Sequence, residues 1–494
     1  MRYVSTRGNY PPVPSAETIR LGMVPKGGLF CPESVPEVDL FSLRGLSYHE
    51  TAFEILKLFL TDYTDNELQY AIAEAYSPER FETMNPAPLK LLRDNLAVLE
   101  LWHGPTAAFK DLALQIMPHL LTIAVQKQKT EKEIVILVAT SGDTGKAALE
   151  GYKDVPGTKI IVFYPKNGVS RVQELQMVTT GGSNTYTIGV QGNFDDCQTM
   201  VKDIFGDREF NRELSDAGME FSSANSINWG RLAPQIVYYF WAYFQMVDRR
   251  KVFMGDPVNF NVPTGNFGNI LAGYYAQQMG LPVNKFVCSS NKNKILTDFI
   301  ADGIYDKNRQ FFSTVSPSMD ILISSNLERY LYAISGNNPE KIVRWYDDLK
   351  TKGKFKVDES TRERVFGSLY GGFADEEQTI AEIKRVYTEE RYLVDTHTAV
   401  GFHVHRQYTA ETGDTTPTVI DSTASPFKFN KAVYQAVTGD KSIDDEFVLL
   451  EKLQDQTGVP VHRSLAGLDK LPVRHDKVIR IEEGRSAIKS ILKI

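Results

Sequence analysis

The chain has 494 residues, of which 42% are hydrophobic and 24% charged, and carries a formal net charge of −7. That length exceeds what one hydrophobic core supports and predicts about two to three domains. The acidic balance excludes a general nucleic-acid binder, and Cys31, Cys197 and Cys288 lie too far apart in sequence for a CxxC pair or a disulfide framework, which predicts a reducing, cytoplasmic setting.

Residues 1–95 read as a mainly helical lead-in. Apolar residues recur at helical spacing over 46–60 and 66–75, and Asp65 is placed to cap the second helix. The first eight residues carry no apolar core of the secretory type. Asn85-Pro86-Ala87-Pro88 breaks the chain, and 97–101 reads as a short strand. It feeds His103-Gly-Pro-Thr-Ala-Ala-Phe109-Lys110-Asp111, after which Leu112 to Met117 has helical character. A lysine amine held at a helix start inside a core suits condensation with an aldehyde, and pyridoxal 5'-phosphate is the commonest aldehyde cofactor. The alternative is a lysine that opens a helix and faces water.

From residue 134 the pattern changes. Runs at 134–139, 159–164, 185–190, 258–263, 285–288 and 417–421 are apolar or β-branched, and helical segments such as 170–178 and 194–205 fall between them. Continuous apolar runs suit strands buried on both faces, so the expected architecture is α/β, with open, mostly parallel sheets in two domains. The smaller is expected over 134–250, and the larger over 96–133 and 251–494. Residues 318–415 read as largely helical, with loops at Gly336 to Pro339 and at Tyr370-Gly371-Gly372. The most apolar run, Ile236 to Phe244, is too short to cross a bilayer and reads as a buried helix, so no membrane partner is expected.

Ligands of such sheets bind beyond the carboxyl ends of the strands. Thr140-Ser141-Gly142-Asp143-Thr144-Gly145 offers hydroxyls and N–H groups at a helix start, although it fails the Walker pattern; an ordinary capped helix is the alternative. Thr264-Gly265-Asn266-Phe267-Gly268-Asn269 has two glycines before a helix N-terminus and reads as a cradle for a phosphate monoester. Its spacing fails GxGxxG, which disfavours a dinucleotide. Ser422-Thr423-Ala424-Ser425-Pro426 supplies a hydroxyl able to meet a pyridine nitrogen. Asn228 and Arg231 stand ahead of the apolar helix, and arginine suits a phosphate or carboxylate, with a structural salt bridge as the alternative. His397, His403 and His405 match no metal-ligand spacing and read as structural, so no metal is expected.

The segments around Lys110, 139–145 and 263–269, together with Ser316-Pro-Ser-Met-Asp-Ile-Leu322, Tyr3-Val-Ser-Thr-Arg-Gly8 and Lys26-Gly-Gly-Leu-Phe30, resemble the threonine synthase family. The likeness is to its longer microbial and fungal branch. It implies the pyridoxal-phosphate fold type II shared with the tryptophan synthase β-subunit. It also implies an enzyme, a lyase acting on O-phospho-L-homoserine and water to give L-threonine and phosphate in the last step of threonine biosynthesis. On this resemblance Lys110 forms the Schiff base and moves protons, and Phe109 lies near the ring. Gly265, Asn266, Phe267, Gly268 and Asn269 hold the cofactor phosphate, and Thr423 meets the pyridine nitrogen. Ser141, Asp143 and Thr144 lie where the family receives the substrate carboxylate and the cofactor's phenolic side. Arg231 and Asn228 are candidates for the substrate phosphate. The rival on the same scaffold is a threonine synthase-like phospho-lyase releasing phosphate, ammonia and 2-oxobutyrate. Oligomeric state is not legible.

Overall fold

The computed structural model describes residues 1–93, 95–130 and 132–494. Glu133–Ala139, Thr158–Pro165, Thr185–Gln191, Met219–Ser222 and Val478–Arg480 form a five-stranded sheet in which every pairing is parallel. Successive side chains of a strand point to opposite faces. Ile134, Ile136 and Val138 therefore join the main core, while Val135, Leu137, Ile161 and Phe163 pack with Cys197, Ile204 and Ile488 on the other side. Both faces are covered, which explains the unbroken apolar runs.

The second sheet has six strands in the order Leu369–Phe373, Val283–Ser290, Val258–Pro263, Thr418–Ser422, Leu96–Glu100 and Leu89–Arg93. All pairings are parallel except the last, where Leu89–Arg93 runs antiparallel at the edge. Its three adjacent strands 258–263, 418–422 and 96–100 run directly into the Thr264, Thr423 and Lys110 loops. The α/β class, with mostly parallel sheets in two layered bodies, is the one expected.

Several local expectations are corrected. The lead-in carries a three-stranded antiparallel sheet, Arg2–Ser5, Val13–Pro14 and Phe30–Pro32, beside its helices. Thr64, not Asp65, caps Asp65–Ala75, through a reciprocal box with Glu67. Tyr370-Gly371-Gly372 is not a loop but part of the edge strand Leu369–Phe373.

Two elements also pack across the division expected between 134–250 and 251–494. Trp229–Asp248 is buried along nearly its whole length and packs against Gly268–Gln278 and Tyr48–Phe59, in the larger body. A helix apolar on all sides needs cover from more than one layer. Val478–Arg480 returns to pair with Thr185–Gln191 in the smaller sheet, and Gly484–Leu492 packs beside it. No helix among the described residues is long and apolar enough to cross a membrane.

Candidate active site

The Lys110 loop is fixed at both sides. Phe109 N–H donates to the Thr423 carbonyl at 2.8 Å and Ser425 N–H to the Ala107 carbonyl at 3.0 Å. Asp111 accepts from the Thr106 N–H and hydroxyl, each at 2.8 Å. This turn needs Gly104, where a Cβ would lie 2.5 Å from that of Asp111. Lys110 then stands at the N-cap of the short helix Asp111–Leu114. It does not face water: the residue is 8% exposed.

Its Nζ donates to Ser318 Oγ at 3.3 Å and lies 3.8 Å from Asp143 Oδ2. Burial pushes the amine down to about 8. Asp143 pulls the other way, while the charges of Arg231 and Lys428 add to the fall. An amine of this kind is readily deprotonated near neutral pH, as nucleophilic and base chemistry require.

Asp143 is the electrostatic hub. Its Oδ1 meets Lys428 Nζ at 3.0 Å and accepts from Gln173 Nε2 at 2.9 Å, and its Oδ2 accepts from Ser318 Oγ at 3.1 Å. Burial alone would raise this carboxyl. Lys428 and Lys110 outweigh it and hold the group well below the ordinary carboxylate range. Gly142 permits the approach, with φ +125° and a Cβ position 2.6 Å from the Gln173 side chain. Among the described residues the hydroxyls of Ser141 and Thr144 have no hydrogen-bond partner, and each is only partly buried.

The 264–269 loop is a cradle of free donors. Its carbonyls turn away: Gly265 O accepts from Ser324 Oγ at 2.8 Å and Asn266 O from Asn326 N at 3.0 Å. Phe267 takes a left-handed φ of 64° before the helix Gly268–Gln278, which has no side-chain cap. Among the described residues, the N–H groups of Gly265, Asn266, Phe267, Gly268 and Asn269 have no partner. A helix N-terminus with converging free N–H groups is a ready anion site. At Gly265 a Cβ would fall 2.6 Å from the Ser318 carbonyl, so only glycine lets the two loops meet.

The Asn269 side chain is used elsewhere. Its Oδ1 accepts from Tyr238 and Tyr239, at 2.5 and 2.7 Å, and its Nδ2 donates to Asp421 Oδ2 at 3.0 Å. Burial lifts the Asp421 carboxyl to about 7, against the hydrogen bonds from Asn269 and Tyr239 that favour its anion. Such a group binds more protons folded than unfolded between its unfolded value near ~4 and its folded one, so stability falls as pH rises across that window. Asp421→Asn removes the titration and keeps an acceptor for both donors. Its stability relative to the parent is expected to improve from pH 4 to pH 7 by on the order of 2–4 kcal/mol and then level off. Urea unfolding at several pH values measures this, and a pH-independent difference would refute it.

Thr423 is buried, and its hydroxyl has no partner among the described residues. Arg231 is buried as well. Its Nη1 donates to the Ala224 carbonyl at 2.9 Å, and no carboxylate among the described residues pairs with it. Burial lowers the guanidinium to about 10. Asn228 is spent on structure, donating to the Ile19 and Ser223 carbonyls and accepting from Gly230 N–H, which leaves no donor for a phosphate.

Sequence reasoning missed Ser318, Lys428, Gln173 and His397. Ser318 lies in a motif that by itself names no role for it. His397, without metal-ligand spacing, reads as structural from sequence, and its Nε2 accepts from Ser318 N–H at 3.2 Å. Lys428 follows a Pro-Phe pair with no periodic signal, although its Nζ sits between Asp143 and the Thr106 carbonyl.

The lysine amine suits capture of an aldehyde, and the free N–H cradle lies on the next loops, at the carboxyl ends of adjacent parallel strands. Both match the needs of pyridoxal phosphate, and the chain has the fold of the type II pyridoxal-phosphate enzymes. Family models described as "Threonine synthase N terminus" and "Threonine synthase, C-terminal" match residues 2–76 and 398–482. Threonine synthase of Pseudomonas aeruginosa is 40% identical, over 89% of this chain and 91% of that protein, and the Saccharomyces cerevisiae enzyme is 38% identical, over 88% and 89%. The crystal structure of the Brucella melitensis threonine synthase with bound pyridoxal phosphate superposes with a TM-score of 0.88 at 34% identity, covering 100% of this chain and 99% of that one. The chain belongs to the threonine synthase family.

Proposed function

We propose that the protein is a threonine synthase that converts O-phospho-L-homoserine and water to L-threonine and inorganic phosphate. What supports this reading is a loop of free N–H groups and a buried guanidinium on either side of one reactive amine. The cradle at 265–269 suits the cofactor phosphate. Arg231, close enough for its charge to depress Lys110 and without a carboxylate partner among the described residues, suits the substrate phosphate.

Lys110, the N–H groups of Gly265 to Asn269 and the Thr423 hydroxyl would hold pyridoxal phosphate, with Phe109 beside it. Bound there, the cofactor supplies an aldehyde for amines and an electron sink for charge that develops at the substrate carbons. The chain's own work is positional and protic. Lys110 Nζ would accept the substrate's α-proton and return protons later. Asp143 and Ser318 keep that nitrogen in place. Ser141 and Thr144, whose hydroxyls have no partner among the described residues, would take the substrate carboxylate. Thr423 would offer the pyridine nitrogen a neutral hydroxyl, which unlike a carboxylate does not stabilise a proton there.

The test is to incubate the purified chain with pyridoxal phosphate and O-phospho-L-homoserine, measuring phosphate, threonine and 2-oxobutyrate together. Phosphate matched by threonine supports the synthase. Phosphate matched by 2-oxobutyrate means the phospho-lyase on the same scaffold, and no phosphate release refutes the substrate.

A further inference from the structure

Ser318 is the point at which Lys110 and Asp143 meet, since its hydroxyl accepts from Lys110 Nζ at 3.3 Å and donates to Asp143 Oδ2 at 3.1 Å. It lies within the single turn Pro317–Met319, where no strand ladder fixes the backbone. The polar contact holding its N–H is His397 Nε2, at 3.2 Å. A ring nitrogen that accepts from an N–H carries no proton. The proton of a neutral ring is then on Nδ1, which lies 2.7 Å from Asp395 Oδ2.

Asp395 is itself held. It is fully buried at the N-cap of Thr396–Thr412 and accepts from the N–H groups of His397 and Thr398, at 2.9 and 3.1 Å, as well as from the Thr398 hydroxyl. The ring of His397 packs edge-on against Phe429, with centroids 4.7 Å apart. The Thr398 hydroxyl also lies 3.2 Å from Ser422 Oγ and 3.4 Å from Thr423 N. One helix start thus braces both the Ser318 turn and the Thr423 loop.

We propose that His397, oriented by Asp395, is a positioning residue for Lys110: its unprotonated Nε2 holds the Ser318 backbone so that the Ser318 hydroxyl bridges Lys110 Nζ and Asp143. The inference rests on Lys110 being the reacting amine of the proposed function. His397 makes no hydrogen bond or ion pair with Lys110 or Asp143. Its effect passes through Ser318, and that coupling is measurable.

The experiment compares His397→Phe, His397→Gln, Ser318→Ala and the double variant His397→Phe/Ser318→Ala in the full chain. One readout is the rate constant for capture of pyridoxal phosphate by Lys110, followed by absorbance without substrate. The other is kcat and KM with O-phospho-L-homoserine. Misplacing a reacting group by about 1 Å costs up to ~100-fold, so His397→Phe is expected to lower capture and kcat by ~10- to 100-fold while leaving KM little changed. Ser318→Ala should do the same and the double variant no worse, because residues acting through one another are not additive. His397→Gln, whose side-chain oxygen can accept the Ser318 N–H, should recover most of the loss.

A double variant whose losses multiply, or a His397→Phe protein with parental capture, overturns the proposal. If the Phe variant does not fold, His397→Gln decides: it must stay nearer the parent than Ser318→Ala, and a Gln variant as impaired as the Ala one overturns the proposal. A parent that captures the cofactor but releases no phosphate refutes the substrate assignment, and the capture measurements still decide the role of His397.

Discussion

Lys110→Ala is expected to abolish turnover, by ~10⁴-fold or more, because it removes both the covalent anchor and the general base. The long-wavelength absorbance of lysine-linked pyridoxal phosphate should vanish with it. The fold should survive. Asp143 retains Lys428 at 3.0 Å, so deleting Lys110 does not leave Asp143 without a cation. The amine is also a group whose charged form burial disfavours, down to about 8, so its loss removes little net stabilisation. Absorbance, activity and a thermal melt of one preparation check this. Retention of the band and of turnover would refute the assignment.

Asp143→Asn is expected to behave in the opposite way, with stability collapsing alongside activity. Lys428 is about 1% exposed, and Asp143 is its one carboxylate partner among the described residues. Removing one member of a buried pair leaves an uncompensated charge and costs ~3–5 kcal/mol. That is a large part of the ~5–15 kcal/mol by which a folded protein is stable. The pH dependence has a definite sign. The Asp143 carboxyl is held below its unfolded value, so its contribution is fully present above the ordinary carboxylate range and is lost as pH falls through the folded value. The gap between parent and Asp143→Asn should therefore be widest near neutrality and narrow in acid. Asp143→Asn/Lys428→Met, which removes both charges, should recover much of the stability and none of the activity. Urea midpoints at neutral and acid pH measure both effects, and a single variant as stable as the parent would contradict the pairing.

The legible part of this protein is the part encoded locally. Val135, Ile136 and Leu137 announce a doubly covered strand by composition alone. The free-donor cradle follows from Gly265 and Gly268 before a helix. Lys110 stands out because a turn, an aromatic and an acid surround it. Illegible features depend on contacts distant in sequence. The glycine pair in Tyr370-Gly371-Gly372 hides the strand preference of the tyrosine, yet Gly371 packs so closely that a Cβ would lie 3.1 Å from Thr297 Cα. His397 shows no ligand spacing because its partner, Ser318, lies 79 positions away. Asn228 and Asn269 look like binding groups by type, but backbone and buried tyrosines consume their side chains.

The strand Val478–Arg480 has a consequence for how the molecule is made. It pairs with Gly189, Val190 and Gln191, so part of the outer side of Thr185–Gln191 is covered by a segment synthesised nearly three hundred residues later. Until that segment emerges from the ribosome, Thr185–Gln191 presents an open row of backbone donors and acceptors, the surface from which chains cross-pair. Closing so long a loop is also slow, because its entropy must be surrendered before the contact returns anything. The smaller body therefore completes itself last, and truncation just before residue 478 leaves a protein whose catalytic loops are whole but whose sheet invites a neighbour.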